Sequence, residues 1–112
     1  MRIYAIVEMG GEGKVRAFSS DVRALAAAKK AGGMVLEAPP TSDDMFATGI
    51  PQHSVVEGTP AKVFLVCCGD SGCTNGFLKA FLVEAAADAA AAEAEGADEL
   101  GLSYYVIAAD VE

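Results

Sequence analysis

At 112 residues the chain is long enough for one ordinary domain, with a core that needs neither disulfides nor metals to hold it. A formal net charge of −8 argues against nucleic acid as a direct partner, and against anionic membrane surfaces, because both are gripped by clustered Lys and Arg. Apolar residues make up 53% of the chain, but 22 of them are alanine, so the core must come from a few short runs of Val, Ile, Leu, Phe, Met and Tyr.

The first run, Ile3 to Val7, has the composition of a strand. It is too short for the core of a secretory leader or for a membrane span, so a soluble cytoplasmic protein is expected. The glycine cluster MGGEG suits a hairpin turn into a second strand ending at Phe18. GGEGK at residues 10 to 14 has the composition of a phosphate loop, but Glu8 stands where the first glycine of that motif belongs, and no helix opens there. Ser19, Ser20 and Asp21 can cap an alanine-rich helix, which Gly32 and Gly33 end. Met34 to Glu37 reads as a strand. Residues 39 to 60 have the Pro, Gly, Ser and Thr of a loop, with Val55 and Val56 as one short strand. That connection exceeds the usual limit of about 12–15 residues. It is either a simple connector or a binding loop whose apolar Met45, Phe46 and Ile50 bury against the domain or a partner. The same signals then return: a run from Val63 to Cys68, a turn GDSGCTNG, a strand ending at Phe81, an alanine-rich helix with Glu84 at its favourable N-terminal end, a stop at Gly96 or Gly101, and a strand from Ser103 to Val111.

The recurrence is a repeat. KVRAFSSDVRALAAA, residues 14 to 28, lies over FLKAFLVEAAADAAA, residues 77 to 91, without a gap, and RIYAIV at 2 to 7 matches KVFLVC at 62 to 67. Arg16 pairs with Lys79, Phe18 with Phe81, Asp21 with Glu84 and Ala24 with Ala87. The expected fold class is α+β: a tandem ββαβ repeat forming mainly antiparallel sheet, with two Ala-rich helices packed on one face. Residues 1–112 form one domain, with units 1–38 and 61–112 joined by the loop 39–60. A homodimer sharing strands or pairing through strand edges fits the same pattern.

Catalytic and metal motifs are weak. GDSG at 69 to 72 resembles the nucleophile segment of chymotrypsin-like serine proteases, with Ser71 as attacking residue. A triad needs a histidine base oriented by a carboxylate, and the only histidine, His53, falls in the loop; ordinary turn composition explains the four residues. Cys67, Cys68 and Cys73 are odd in number and two are adjacent, which does not make a disulfide framework. Neighbouring strand residues point to opposite faces, so Cys67 and Cys68 do not converge on a metal that wants four ligands. One buried and one exposed free thiol are expected in a reducing compartment. No metal, no cofactor and no catalytic residue is assigned, and His53 is expected to be solvated.

Charge is the outstanding feature. Residues 1 to 60 carry seven acids and six bases, a net of −1, whereas residues 61 to 112 carry nine acids and two bases, a net of −7. At about 100° per residue, Glu84, Asp88 and Glu95 share one helical stripe, which Asp98 and Glu99 extend if the helix survives Gly96. The stripe either solvates the helix and pairs with Arg23, Lys29 and Lys30 of the first helix, or docks on a basic surface. Glu93 and Glu95 near the helix C-terminus oppose the macrodipole, whereas Lys29 and Lys30 complement it in the first copy.

The order strand, glycine turn, Ala-Phe, alanine helix, carried by VRAFSSDVRALAAA and LKAFLVEAAADAAA, resembles the small ββα-type units of short phage and mobile-element proteins. That resemblance implies an anti-defence inhibitor, such as an anti-CRISPR or anti-restriction protein that blocks a basic nucleic-acid cleft. It assigns no residue a role. The expected function is that of a non-enzymatic acidic binding protein acting through protein–protein contact, most specifically a phage-type inhibitor of a host nucleic-acid-binding defence complex. Its partner would be a basic surface of a larger protein, met by Glu84, Asp88, Glu93, Glu95, Asp98 and Glu99 with Met45 and Phe46 as anchors. The alternative is a small-molecule-binding domain or small enzyme with a pocket near the 39–60 loop and His53.

Overall fold

β1 (Arg2–Val7) carries apolar side chains on both faces, and they enter different cores. Ile3, Ala5 and Val7 join one cluster, Tyr4 and Ile6 another, as the twofold alternation of a strand requires. The computed structural model describes residues 1–8, 14–30, 32–36, 53–70, 73–98 and 101–112. After β1 come β2 (Val15–Phe18), α1 (Asp21–Lys30), β3 (Met34–Val35), β4 (His53–Val55), β5 (Lys62–Asp70), β6 (Cys73–Phe81), α2 (Glu84–Ala97) and β7 (Ser103–Asp110).

The chain is α+β, with two helices and two antiparallel sheets among the described residues. The first sheet has the order β2-β1-β3, and the second β6-β5-β7. β3 covers only Ile6 and Val7 of β1, and β4 fills the rest of that edge by pairing His53 with Tyr4, Ser54 with Ile3 and Val55 with Arg2. The short strand expected at Val55 and Val56 therefore begins two residues earlier.

One expectation is corrected here. The strands do not form a single sheet with both helices on one face. Instead the inner faces of the two sheets meet, and Ile3, Ala5, Val7, Val15 and Ala17 pack against Val63, Leu65, Cys67, Phe77, Ala80 and Ala109. α1 covers the outer face of the first sheet through Ala24 and Ala28, and α2 covers the outer face of the second through Ala87 and Ala91. The physical reason lies in the runs Ile3–Val7 and Val63–Cys68, which are apolar at successive positions. Strands that read this way are buried on both sides, and a single sheet with one helical face would leave half of each run in water, at about 25 cal/mol per Å².

Position by position, the two outer clusters correspond. Tyr4, Ile6, Phe18, Ala24, Ala28 and Val35 surround α1, and Phe64, Val66, Phe81, Ala87, Ala91 and Val106 surround α2. Tyr4 pairs with Phe18 as Phe64 pairs with Phe81. A cation lies 5.1 Å from each terminal phenylalanine ring, Arg16 over Phe18 and Lys79 over Phe81.

Two seams join the sheets. Beyond β7, Val111 bridges Ala17 of β2 in parallel, and Glu112 exchanges backbone hydrogen bonds with it, its N–H donating to the Ala17 carbonyl at 2.9 Å and its carbonyl accepting from the Ser19 N–H at 3.0 Å. At the other side, the Ala80 N–H donates to the buried Ser54 hydroxyl at 3.0 Å. Edge pairing with a second copy thus finds these positions of β2 and β6 already engaged.

Arg16 closes the first seam. Its guanidinium grips the Glu112 carboxylate with two hydrogen bonds, 2.8 and 2.6 Å, and reaches Glu8 at 3.1 Å. The Arg16 guanidinium holds the Glu112 carboxyl below its ordinary pKa, against a smaller opposing effect of burial. A carboxyl with a lower pKa when folded stabilises the fold above its unfolded pKa and loses that contribution as pH falls through the folded value. Arg16→Met should therefore cost about 1 kcal/mol near neutrality, since the pair is partly solvated. In urea titrations the difference from wild type should be constant above about pH 5.5 and shrink below about pH 4. A cost that persists unchanged at the acid end would show that the arginine stem, not the ion pair, is what matters.

α1 ends as expected at Gly32, with φ +65°, and Gly33, whose N–H donates to the Ala28 carbonyl at 2.7 Å. α2 behaves differently and runs through Gly96 to Ala97, because one glycine costs only about 1 kcal/mol in a helix and eight of the twelve helical positions before it are alanine. Among the described residues no helix is long and apolar enough to cross a membrane.

Candidate functional site

α2 forms because nine of its residues are alanine, the best helix former, and because Ala87 and Ala91 let it lie close on β5. Its ends are poorly provided. Val83 at the N-cap supplies no side-chain hydrogen bond, and the last turn holds no basic residue. α1, by contrast, has Asp21 in its first turn, Lys29 and Lys30 in its last, and Ser20 accepting from the Arg23 N–H at 3.4 Å.

Glu84, Asp88, Glu93 and Glu95 are all exposed. At about 100° per residue, Glu84, Asp88 and Glu95 do share one flank of α2, and Glu93 lies on the opposite one. There it lines a groove of about 710 Å³ between α2 and β6, walled by Leu78, Lys79, Phe81, Ala86, Ala90 and Ala94 among others. The crest between flank and groove is Ala85, Ala89, Ala92 and Gly96, all exposed. Small residues there let a partner backbone come close. Leu82 and Val83, 46% and 60% exposed, sit at the head of the same helix.

Asp98 is drawn away from this ridge. It follows α2 as its C-cap, is half-buried, and accepts from the Leu102 N–H at 2.6 Å. Glu99, Met45 and Phe46 lie outside the described residues.

Pairing of the ridge with Arg23, Lys29 and Lys30 is overturned, since both sheets stand between the two helices. Among the described residues the only ion pairs are those of Arg16 with Glu8 and Glu112. The four α2 acids thus form no ion pair among those residues.

The two described thiols are shut away by burial. Cys67 and Cys68 face opposite sides of β5, Cys67 the core between the sheets and Cys68 the side of Asp98. Both are buried, which corrects the expectation of one exposed thiol: the end of α2 and β7 cover Cys68. Burial pushes the Cys67 thiol up to about 12, with Cys68 adding to it, and burial with the Asp98 charge pushes Cys68 up to about 11. A buried thiol held in its protonated form at neutral pH is a poor nucleophile. Ser71 lies outside the described residues. His53 is not in a loop but in β4, its ring 5.8 Å from that of Tyr4.

Lys79, Leu78 and Phe81 are the groove residues that composition did not single out. Their signal was present, since Leu78 and Phe81 are large apolar residues beside a helix whose alanines cannot cover them. No family model matches the chain, and no curated protein or solved structure is similar to it.

Proposed function

We propose that this is a non-enzymatic protein-binding module that takes a basic, partly apolar partner across α2. One observation carries the reading: four exposed acids on a single helix that form no ion pair among the described residues, with the cations of α1 lying beyond both sheets. Cationic side chains of the partner meet Glu84, Asp88 and Glu95 on one flank, and apolar ones enter the groove beside Glu93 on the other. Attraction of this kind speeds encounter and selects the partner. The groove supplies the desolvated area that rim charges do not. In its most specific form the module is a phage-type inhibitor that occupies the basic cleft of a host nucleic-acid-binding defence complex.

We also infer that the two halves are copies of one ββαβ unit. The shared strand orders, the matching outer clusters and the two cation-capped phenylalanines support it. Against that common frame, the acids at 88, 93 and 95 replace Leu25, Lys30 and Gly32, so the acidic character of α2 belongs to the second copy alone.

The test uses a fluorescent amphipathic helical peptide of Leu and Lys, followed by anisotropy at low salt. Glu84→Lys, Asp88→Lys and Glu95→Lys together should weaken binding on the order of a hundredfold, since each attraction becomes a repulsion. Circular dichroism should remain that of wild type, because all three side chains are exposed. Equal affinity for the reversed protein would end this reading.

A further inference from the structure

We infer that the outer face of the first sheet holds a pocket for a small organic amine, formed by Tyr4, Asp21 and His53. This goes beyond the reading of α2 and does not depend on it, because the pocket lies beside α1 in the opposite outer layer. The cavity measures about 220 Å³, and Ala24, Leu25 and Val35 complete its lining. That is the liquid volume of about seven waters, room for a compact molecule and not for a nucleotide.

Tyr4 is the first sign of a ligand. Its side chain is nine-tenths buried, at 9% exposure, yet among the described residues nothing hydrogen-bonds its hydroxyl. No described side-chain atom is sealed without a partner, and Tyr4 is one of the residues that line this pocket. Packing alone does not call for it. At the same register of the second sheet, against Phe81, the chain has Phe64, which fills the equivalent cluster without a polar atom.

The strand partner differs in the same sense. Phe64 faces Ala108 across its sheet edge, whereas Tyr4 faces His53. The two rings stand 5.8 Å apart at 41° and make an aromatic wall where the other sheet has a methyl group. Asp21 provides the charge. Its Oδ1 accepts from the Val22 N–H at 2.8 Å, and among the described residues no Lys or Arg pairs with it. Leu25, 53% exposed, forms an apolar rim.

A carboxylate, two ring faces and a hydroxyl oxygen over an apolar floor suit an ammonium group on a short hydrocarbon body. The ammonium donates to Asp21 and to the Tyr4 oxygen, and the rings attract it through their π faces. An anion would be repelled by Asp21, and a neutral molecule would forfeit the charge-assisted contacts.

Phenethylamine, titrated into uniformly ¹⁵N-labelled protein and followed by amide shifts, tests this directly, with 2-phenylethanol as the neutral match. Saturable shifts at Tyr4, Leu25 and His53 are expected for the amine, with Kd on the order of 0.1–1 mM, and only weak, unsaturated ones for the alcohol. Asp21→Asn and Tyr4→Phe should each raise Kd by about tenfold, and Tyr4→Phe should keep its fold as the Phe64 site does. The α2 charge-reversed protein should bind the amine as wild type does. No saturation by about 10 mM, equal binding of the alcohol, an unchanged Kd in Asp21→Asn, or loss of binding on reversing α2 would each overturn the assignment.

Discussion

Phe77→Ala is expected to lower the free energy of unfolding by about 3–5 kcal/mol, enough to leave a domain of ordinary stability, about 5–15 kcal/mol, near its threshold. Phe77 heads the large side chains that are wholly buried, and it stands between the sheets with Ile3, Leu36 and Leu65. Many of its neighbours there are Ala or Val, too short to close on the space a lost ring would leave. Both lost transfer energy and residual cavity therefore count. Urea unfolding monitored by tyrosine fluorescence measures the change, and a loss under about 1 kcal/mol would mean that the sheets collapse into the gap.

Gly33→Ala is the second large effect. A Cβ at Gly33 would lie 2.1 Å from the Val7 carbonyl oxygen and 3.2 Å from the Glu8 Cα. These are backbone atoms, and Val7 is paired with Val15 on one side and Met34 on the other, so neither can retreat without breaking the ladder. About 3 kcal/mol is expected, the upper part of the overpacking range. Gly96→Ala serves as the control, since nothing lies within 4 Å of a Cβ there and its position within α2 predicts a gain of up to about 1 kcal/mol. Equal midpoints for the two variants would contradict the close approach.

Much of the fold is legible in the chain, and the exceptions have identifiable causes. Alanine runs, paired glycines and apolar stretches placed both helices and six strands. Misreading the layers came from treating Ile3–Val7 and Val63–Cys68 as one-sided strands, though their unbroken apolar character argues for burial on both faces. The gapless overlay of 14–28 on 77–91 also hides an irregularity. In β6 the register slips so that Val66 faces Lys79 and Cys67 faces Phe77, leaving Leu78 as an extra residue of a bulge. Phe77 therefore takes the inner place that Val15 has in the first hairpin. Strict alternation counted back from Phe81 would turn it outward, and nothing in the composition of CTNGFLKAF announces the slip.

The candidate site was legible in its charges and illegible in its contacts. Glu84, Asp88 and Glu95 follow from helical spacing alone. That Glu93 belongs to a groove depends on where β6 runs, and that Asp98 turns inward depends on a backbone amide four residues later. Tyr4, Asp21 and His53 are too far apart in the chain for spacing to unite them. What brings them together is β4 completing the edge of β1.

The shared inner layer also bears on synthesis. Until residues 61–112 have been added, Ile3, Ala5, Val7, Val15 and Ala17 have no opposing surface, and at about 5–20 residues per second the first half waits roughly 3–10 s on the ribosome in that condition. The seam at Ala17 and Ser19 must wait longer, since its partners Val111 and Glu112 lie beyond β7. The inner layer can therefore close only once both halves have emerged, so the first half folds as a unit with the second and not ahead of it.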